Sequence, residues 1–160
     1  MRRVFFCIGG NLGDRGDNLS ETIDFLHFNV GDVLSRSDVF ETEPWEMKDA
    51  PAFYNQVVCV ETMMTNEQLV AEIKEIEAYY GRDRGTAKYA SREMDVDILF
   101  IDDEIIDMPE LQVPHHRMTQ RRFVLEPLAQ IAPDQIHPEL KKTVLELLSA
   151  CDDKHSVKKI

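Results

Sequence analysis

The chain has 160 residues, 43% of them hydrophobic and 30% charged, enough for one globular domain with a substantial core. Eighteen Lys and Arg against thirty Asp and Glu leave a formal net charge of -12. That balance excludes a surface built to attract nucleic acid or anionic lipid, so any phosphate-binding site has to be local.

Residues 4–8 are apolar and predict a buried strand, too short for a signal core or a membrane span. Gly9-Gly10-Asn11-Leu12-Gly13 reads as the turn leaving it. Leu19, Ile23 and Leu26 at helical spacing predict an amphipathic helix over 18–28, and Gly31-Asp32 a turn after it. Residues 33–40, with Val33, Val39 and Phe40 among polar neighbours, read as a half-exposed strand. Residues 41–51, with Pro44, Trp45 and Pro51, form a loop long enough to be functional. A long strand is predicted over 53–63. Thr65 and Gln68 make a capping-box pattern ahead of a helix with Leu69, Ile73, Ile76 and Tyr80 on one face, stopped by Gly81.

Residues 82–92 lack apolar periodicity and read as a loop, followed by a Val-, Ile-, Leu- and Phe-rich strand over 94–101. Asp102-Asp103 predicts a turn into a short returning strand at 104–106. Beyond Pro109, the prolines at 114, 127, 133 and 138 leave room only for short helices, around 118–125 and 143–150. Cys7, Cys59 and Cys151, odd in number and far apart, read as reduced thiols of a cytoplasmic protein. With no repeat or linker, residues 1–160 read as a single domain. The order strand, helix, two strands, helix, strand predicts an α+β fold, a ferredoxin-like antiparallel sheet packed with helices, plus C-terminal short helices.

Asp95-Val96-Asp97 opens the best strand, and a period of two puts both carboxylates on one face, Cα atoms about 6.5 to 7 Å apart. Met94, Val96, Ile98 and Phe100 then share the other face. Two anions on a largely buried strand repel each other and are costly to desolvate unless a cation or a donor lies between them. Such hard oxygens suit magnesium, which takes one or two carboxylates plus substrate phosphates. An Asp-x-Asp by itself also fits a strand that simply begins at the solvent edge.

The flanking segments favour the metal. Arg82, Arg84, Lys88 and Arg92 against the single acid Asp83 give residues 82–92 a local charge of +3, and residues 115–122 add Arg117, Arg121 and Arg122 beside His115 and His116. Carboxylates for a metal and guanidinium forks for phosphate oxygens are what a metal–polyphosphate complex needs, which predicts an ATP-type ligand. The glycine-rich turn at 9–13 matches neither the phosphate-loop nor the dinucleotide pattern and is given no phosphate role. Trp45, Phe53, Tyr89 and Phe123 fall in or beside irregular segments, where stacking on a planar heterocycle and ordinary packing are both open.

These residues together resemble the 6-hydroxymethyl-7,8-dihydropterin pyrophosphokinase family over nearly the whole chain. The carriers are Gly-Gly-Asn-Leu-Gly at 9–13, Thr42-Glu43-Pro44, Phe53-Tyr54-Asn55, Glu77 with Gly81-Arg82, the run from Arg92 to Leu99, Val113-Pro114-His115, and Arg121-Arg122-Phe123 before Glu126-Pro127-Leu128. The resemblance implies diphosphate transfer from ATP to the hydroxymethyl group of the pterin, releasing AMP, in folate biosynthesis. It implies that Asp95 and Asp97 bind two Mg2+ ions and, with Arg82 and Arg92, form the catalytic set. Glu77, Arg82, Arg84, Lys88, Tyr89, Arg92, Ile98, His115, His116 and Arg121 are then the ATP-binding residues. Thr42, Pro44, Trp45, Phe53, Asn55 and Phe123 would bind the pterin. A monomer without nucleic-acid or membrane partners is expected. Glu43, residues 88–91 and His116 depart from the usual family pattern. Two other functions are weighed beside this one: a non-catalytic ferredoxin-like module binding a small ligand, and another magnesium–nucleotide transferase.

Overall fold

The structure is a computed structural model that describes residues 1–43, 50–81 and 93–160. The predicted loop 82–92 and most of the predicted loop 41–51 therefore lie outside the described residues. The elements follow as β1 (Arg2–Gly10), α1 (Arg15–Asn29), β2 (Gly31–Arg36), β3 (Phe40–Thr42), β4 (Phe53–Thr62), α2 (Asn66–Tyr79) and β5 (Asp95–Ile101). They continue as β6 (Ile106–Met108), β7 (Leu111–Val113), α3 (Arg122–Ile131), α4 (Val144–Ser149) and β8 (Val157–Lys159), with a 3-10 turn at Met118–Gln120.

The main sheet runs β5-β1-β4-β3-β8, with β2 also pairing β4. Its pairings are antiparallel, and β5-β1-β4-β2/β3 is the ferredoxin-like order. Each face carries its own core. Val4, Phe6, Ile8, Val58 and Val60 point towards α1 and α2, where Leu19, Ile23, Leu26, Leu69 and Ile76 meet them. Phe5, Cys7, Val57 and Cys59 point the other way and are covered by Met118, Val124, Leu125, Leu128, Val144 and Leu147. Continuous apolar runs in β1 and β4 follow from this burial on both faces. Each fully buried Leu, Ile, Val or Phe is worth about 1.5–3 kcal/mol over exposure.

Several elements differ from their sequence-based prediction, each for a tertiary reason. Gly9 and Gly10 belong to β1, where they pair with Asn55 and Tyr54, and are not part of a turn. A Cβ on Gly9 would stand 2.2 Å from Asn55 Oδ1 and 2.4 Å from the Tyr54 carbonyl, so the glycine serves close approach. Gly31 likewise opens β2, with its missing Cβ 2.0 Å from the Glu61 carbonyl oxygen. The strand predicted over 33–40 is split in two by buried Ser37, whose Oγ accepts the Val57 N–H at 3.0 Å. The segment predicted at 104–106 does not return along β5 but enters the β6–β7 hairpin.

A register shift in the β1–β5 ladder, between Phe5 and Phe6, sends Phe100 to the α3 face together with Leu99. Strict alternation had placed Phe100 with Val96 and Ile98; a bulge inserts one residue and inverts the faces beyond it. α3 runs through Pro127 to Ile131, further than the proline spacing predicts, because Val124, Leu125 and Leu128 anchor it on the sheet. β8 had no clear sequence signal. Among the described residues, no helix is long and apolar enough to cross a membrane.

Candidate active site

The registers of three pairings draw one line across the sheet. Asp95 pairs with Gly9, Gly9 with Asn55, and Asn55 with Phe40. Opposed residues share a face, and strands lie about 4.8 Å apart, so Asp95 and Asn55 sit on the same surface about 10 Å from each other. Asp97 pairs with Cys7 two residues deeper and points to that surface as well. It is the surface covered further down by α3 and α4, away from α1 and α2. Gly9 lies between the acid pair and Asn55, and the Asn55 amide fills the space that a side chain at Gly9 would need.

Asp97 has a half-exposed side chain, and His115 Nε2 lies 4.0 Å from its Oδ1. His115 is tied to β5 by its own N–H, which donates to the Leu99 carbonyl at 3.0 Å. Its Nδ1 accepts the Arg117 N–H at 3.2 Å, so the neutral ring carries its proton on Nε2, towards Asp97. Burial lowers the imidazole pKa to about 4, helped by the charges of Arg121, His116 and Arg117. At neutral pH the contact with Asp97 is thus a long polar approach of a neutral donor, not an ion pair. His116 is exposed and stacks on His115 with ring centroids 5.4 Å apart.

Glu77 reaches from α2 to the start of β5, where its carboxylate accepts the Val96 N–H at 3.1 Å. Beside it opens a cavity of about 240 Å³ between α2, β5 and the β6–β7 hairpin, lined among others by Glu77, Asp97, Ile98 and His115. Ile73 and Leu111 supply apolar wall, and Lys74 and Glu110 bridge α2 to the hairpin at 3.0 Å. A cleft with apolar sides and a few converging polar groups is the usual form of a small-molecule site.

On the other side of the acid pair, Thr42 and Asn55 are buried, and Asn55 Nδ2 donates to Thr42 Oγ1 at 3.4 Å. Phe53 is half-buried and pairs with Thr42 across β3–β4. Asn11 Nδ2 donates to the Pro51 carbonyl at 3.0 Å, and Arg15 donates to the Ala52 carbonyl at 2.7 Å while lying 4.0 Å over the Tyr54 ring. Sequence reasoning missed Gly9, Asn11 and Arg15; the signal was the Gly-Gly-Asn run, read there as a turn. Arg121 lies 5.6 Å from the centre of the half-buried Phe123 ring. Burial and then the Asp97 charge push the Cys7 thiol well above its usual range, with Arg121 opposing and Asp95 adding. In the β1–β5 ladder Asp97 stands opposite Cys7 and Asp95 opposite Gly9.

Of the predicted site residues, the structure gathers Glu77, Asp97, Ile98 and His115 around the cavity with Asp95 at the start of β5, sets Thr42, Phe53 and Asn55 together across β3–β4, and puts Phe123 beside Arg121. Pro44, Trp45, Arg82, Arg84, Lys88, Tyr89 and Arg92 lie outside the described residues. Arg122, counted in the cationic cluster, is turned away: its guanidinium donates to the Asp153 and Cys151 carbonyls at 3.0 and 3.1 Å and pairs with Glu126. Among the described residues no group of three or more His, Cys, Asp or Glu gathers as a metal cage. Two same-face carboxylates with a neutral imidazole nearby fit a hard divalent cation that keeps water and phosphate oxygens as its remaining ligands.

Fold and site together define a small ferredoxin-like α+β protein whose acidic pair borders an apolar-sided cavity between α2, β5 and the β6–β7 hairpin. A profile described as 7,8-dihydro-6-hydroxymethylpterin-pyrophosphokinase matches residues 5–133. The 2-amino-4-hydroxy-6-hydroxymethyldihydropteridine pyrophosphokinase of Pseudomonas aeruginosa is 32% identical over 152 residues, covering 94% of this chain and 93% of that protein. The chain belongs to the 7,8-dihydro-6-hydroxymethylpterin-pyrophosphokinase family. It is also 38% identical over 135 residues to the folic acid synthesis protein fol1 of Pneumocystis carinii, of which it spans only 18%. The wild-type Plasmodium falciparum HPPK-DHPS structure with pterin and p-hydroxybenzoate shares the fold at a TM-score of 0.71 and 18% identity, over 92% of this chain and 42% of that one.

Proposed function

We propose that the chain transfers diphosphate from ATP to the hydroxymethyl group of 6-hydroxymethyl-7,8-dihydropterin, giving AMP and the pterin diphosphate. The observation that carries this is the line Asp95–Gly9–Asn55, which sets an acid pair beside a nucleoside-sized cleft and an amide-bearing wall at the same end of the sheet. The hydroxymethyl oxygen forms a bond to the β-phosphorus while the bond from that phosphorus to the α,β-bridging oxygen breaks, and AMP leaves with that oxygen. Such transfers ask the protein chiefly for positioning and charge.

Asp95 and Asp97 would hold magnesium, which when bound neutralises the phosphate oxygens. Ile98 and the apolar cavity wall take the base, and Glu77 keeps β5 in place. The Nε2–H of His115 donates to a phosphate oxygen, and Arg121 offers its fork to the triphosphate. Asn55 hydrogen-bonds the pterin edge, Thr42 holds the Asn55 amide, and Phe53 and Phe123 flank the ring. Arg82, Arg84, Lys88, Tyr89, Arg92 and His116 on the nucleotide side, and Pro44 and Trp45 on the pterin side, are assigned by sequence position. Residues 1–160 act as one monomeric, cytoplasmic unit.

Incubation with Mg-ATP and the hydroxymethyl pterin, followed by separation of nucleotides, tests the proposal. AMP formed in step with pterin diphosphate is expected. ADP would mean monophosphate transfer, free pyrophosphate a nucleotidyl transfer, and no turnover a binding module; each overturns it.

A further inference from the structure

Helix α3 starts with an unusual arrangement. Its N-cap residue is Arg121, which has no side-chain capping bond to the helix. Arginine has no acceptor to offer there, and its guanidinium lies 5.6 Å from the centre of the Phe123 ring instead. The capping function has moved to a residue thirty-one positions beyond Arg122, where Asp153 Oδ2 accepts the Arg122 N–H at 3.0 Å. A carboxylate at a helix N-terminus satisfies an orphan amide and complements the helix dipole.

Asp153 is itself firmly held. Its side chain is 2% exposed, and its Oδ1 accepts the His155 N–H at 2.9 Å and meets His155 Nδ1 at 2.6 Å. Arg122 closes the arrangement by donating Nε–H to the Asp153 carbonyl. The chain then forms β8, which pairs Val157 with Thr42 and Lys159 with Phe40, and Ile160 N–H donates to the Val39 carbonyl at 2.9 Å. Residues 151–160 thus touch both walls of the proposed pterin cleft: the start of α3 with Arg121 and Phe123, and β3 with Thr42. They lie beyond residues 5–133, the part matched by the family profile.

We propose that Asp153 is a positioning residue for catalysis: by capping α3 in place of Arg121, it sets Arg121 and Phe123 at the distance from β3 that the substrates require. This rests on the diphosphotransferase function proposed above. Asp153 touches neither substrate and acts through the Arg122 amide.

Kinetics and amide hydrogen exchange on Asp153→Ala, Asp153→Asn and Thr143→Ala test it. Thr143 caps α4 with a capping box and serves as a control for stability lost away from the site. Asp153→Ala is expected to raise KM for the pterin and lower kcat/KM about tenfold or more. It should also speed exchange at the first amides of α3. Asparagine keeps the acceptor, so Asp153→Asn is expected to restore most of kcat/KM and the slow exchange. Thr143→Ala should lose comparable thermal stability with KM unchanged. Wild-type KM and kcat in Asp153→Ala, or equal kinetic losses in Thr143→Ala, would overturn the proposal. Absence of AMP from the wild type would instead overturn the diphosphotransferase function, while the exchange rates would still judge the cap.

Discussion

At the scale of single residues, Asp97 and Gly9 carry the sharpest expectations. Asp97→Ala removes one of two neighbouring anions, which relieves repulsion in the fold but removes charge needed against the phosphates. AMP formation should fall by about 10²-fold or more while the melting temperature holds or rises, checked by nucleotide separation and calorimetry. Retention of wild-type turnover would rule out a metal-holding role for Asp97. Gly9→Ala puts a methyl 2.2 Å from Asn55 Oδ1 and against the Tyr54 carbonyl. Overpacking of this kind costs about 1–3 kcal/mol, read from the urea midpoint, and should raise KM for the pterin by displacing the amide. The same two residues show what a sequence reveals of a site. Asp95 and Asp97 announced themselves by charge and spacing, whereas Gly9 looked like a turn because its requirement comes from a strand 46 residues away in sequence.

Among the helices, α2 was the most legible and α3 the least. The Thr65 hydroxyl accepts the Gln68 N–H at 3.2 Å and the Gln68 side chain accepts the Thr65 N–H at 2.9 Å, so the capping box read from four letters is present in full. Thr65→Ala should lower stability by about 1 kcal/mol and leave kcat unchanged, since this helix end lies away from the acid pair; thermal unfolding and initial rates check both. α3 was misjudged because proline and arginine are poor local signals for a helix. Its start is capped by Asp153 and its body is held by apolar packing, and neither is written within the helix itself. β5 falls between these cases: its first four residues alternate as predicted, and the bulge that redirects Phe100 depends on β1.

For the whole molecule, the two cores and the pH response belong together. His137 is buried against the Phe100 ring, and its Nδ1 accepts the N–H groups of Glu139 and Leu140 at 3.2 and 3.1 Å. Burial lowers its pKa, with Glu139 opposing, so the folded state favours the neutral ring. The unfolded chain then binds more protons as pH falls, and this contribution is complete above the ordinary histidine range of about 6.5 and lost below it. The urea midpoint should drop between pH 7 and pH 5, and the His137 ring should titrate below the ordinary histidine range in NMR. A ring that titrates normally would contradict this account.

Composition, periodicity and caps by themselves determined the places of α1, α2 and the long strands β1, β4 and β5, the α+β class and the chemical character of the acid pair, because those depend on neighbours one to four positions apart. Tertiary structure alone decided which faces meet: that Gly9 lies between Asp95 and Asn55, that Arg122 is tied to Asp153 and Glu126, and that residues 157–159 extend the sheet beside Thr42. Register and capping across long separations are set by packing of the entire chain, and no local run of residues encodes them.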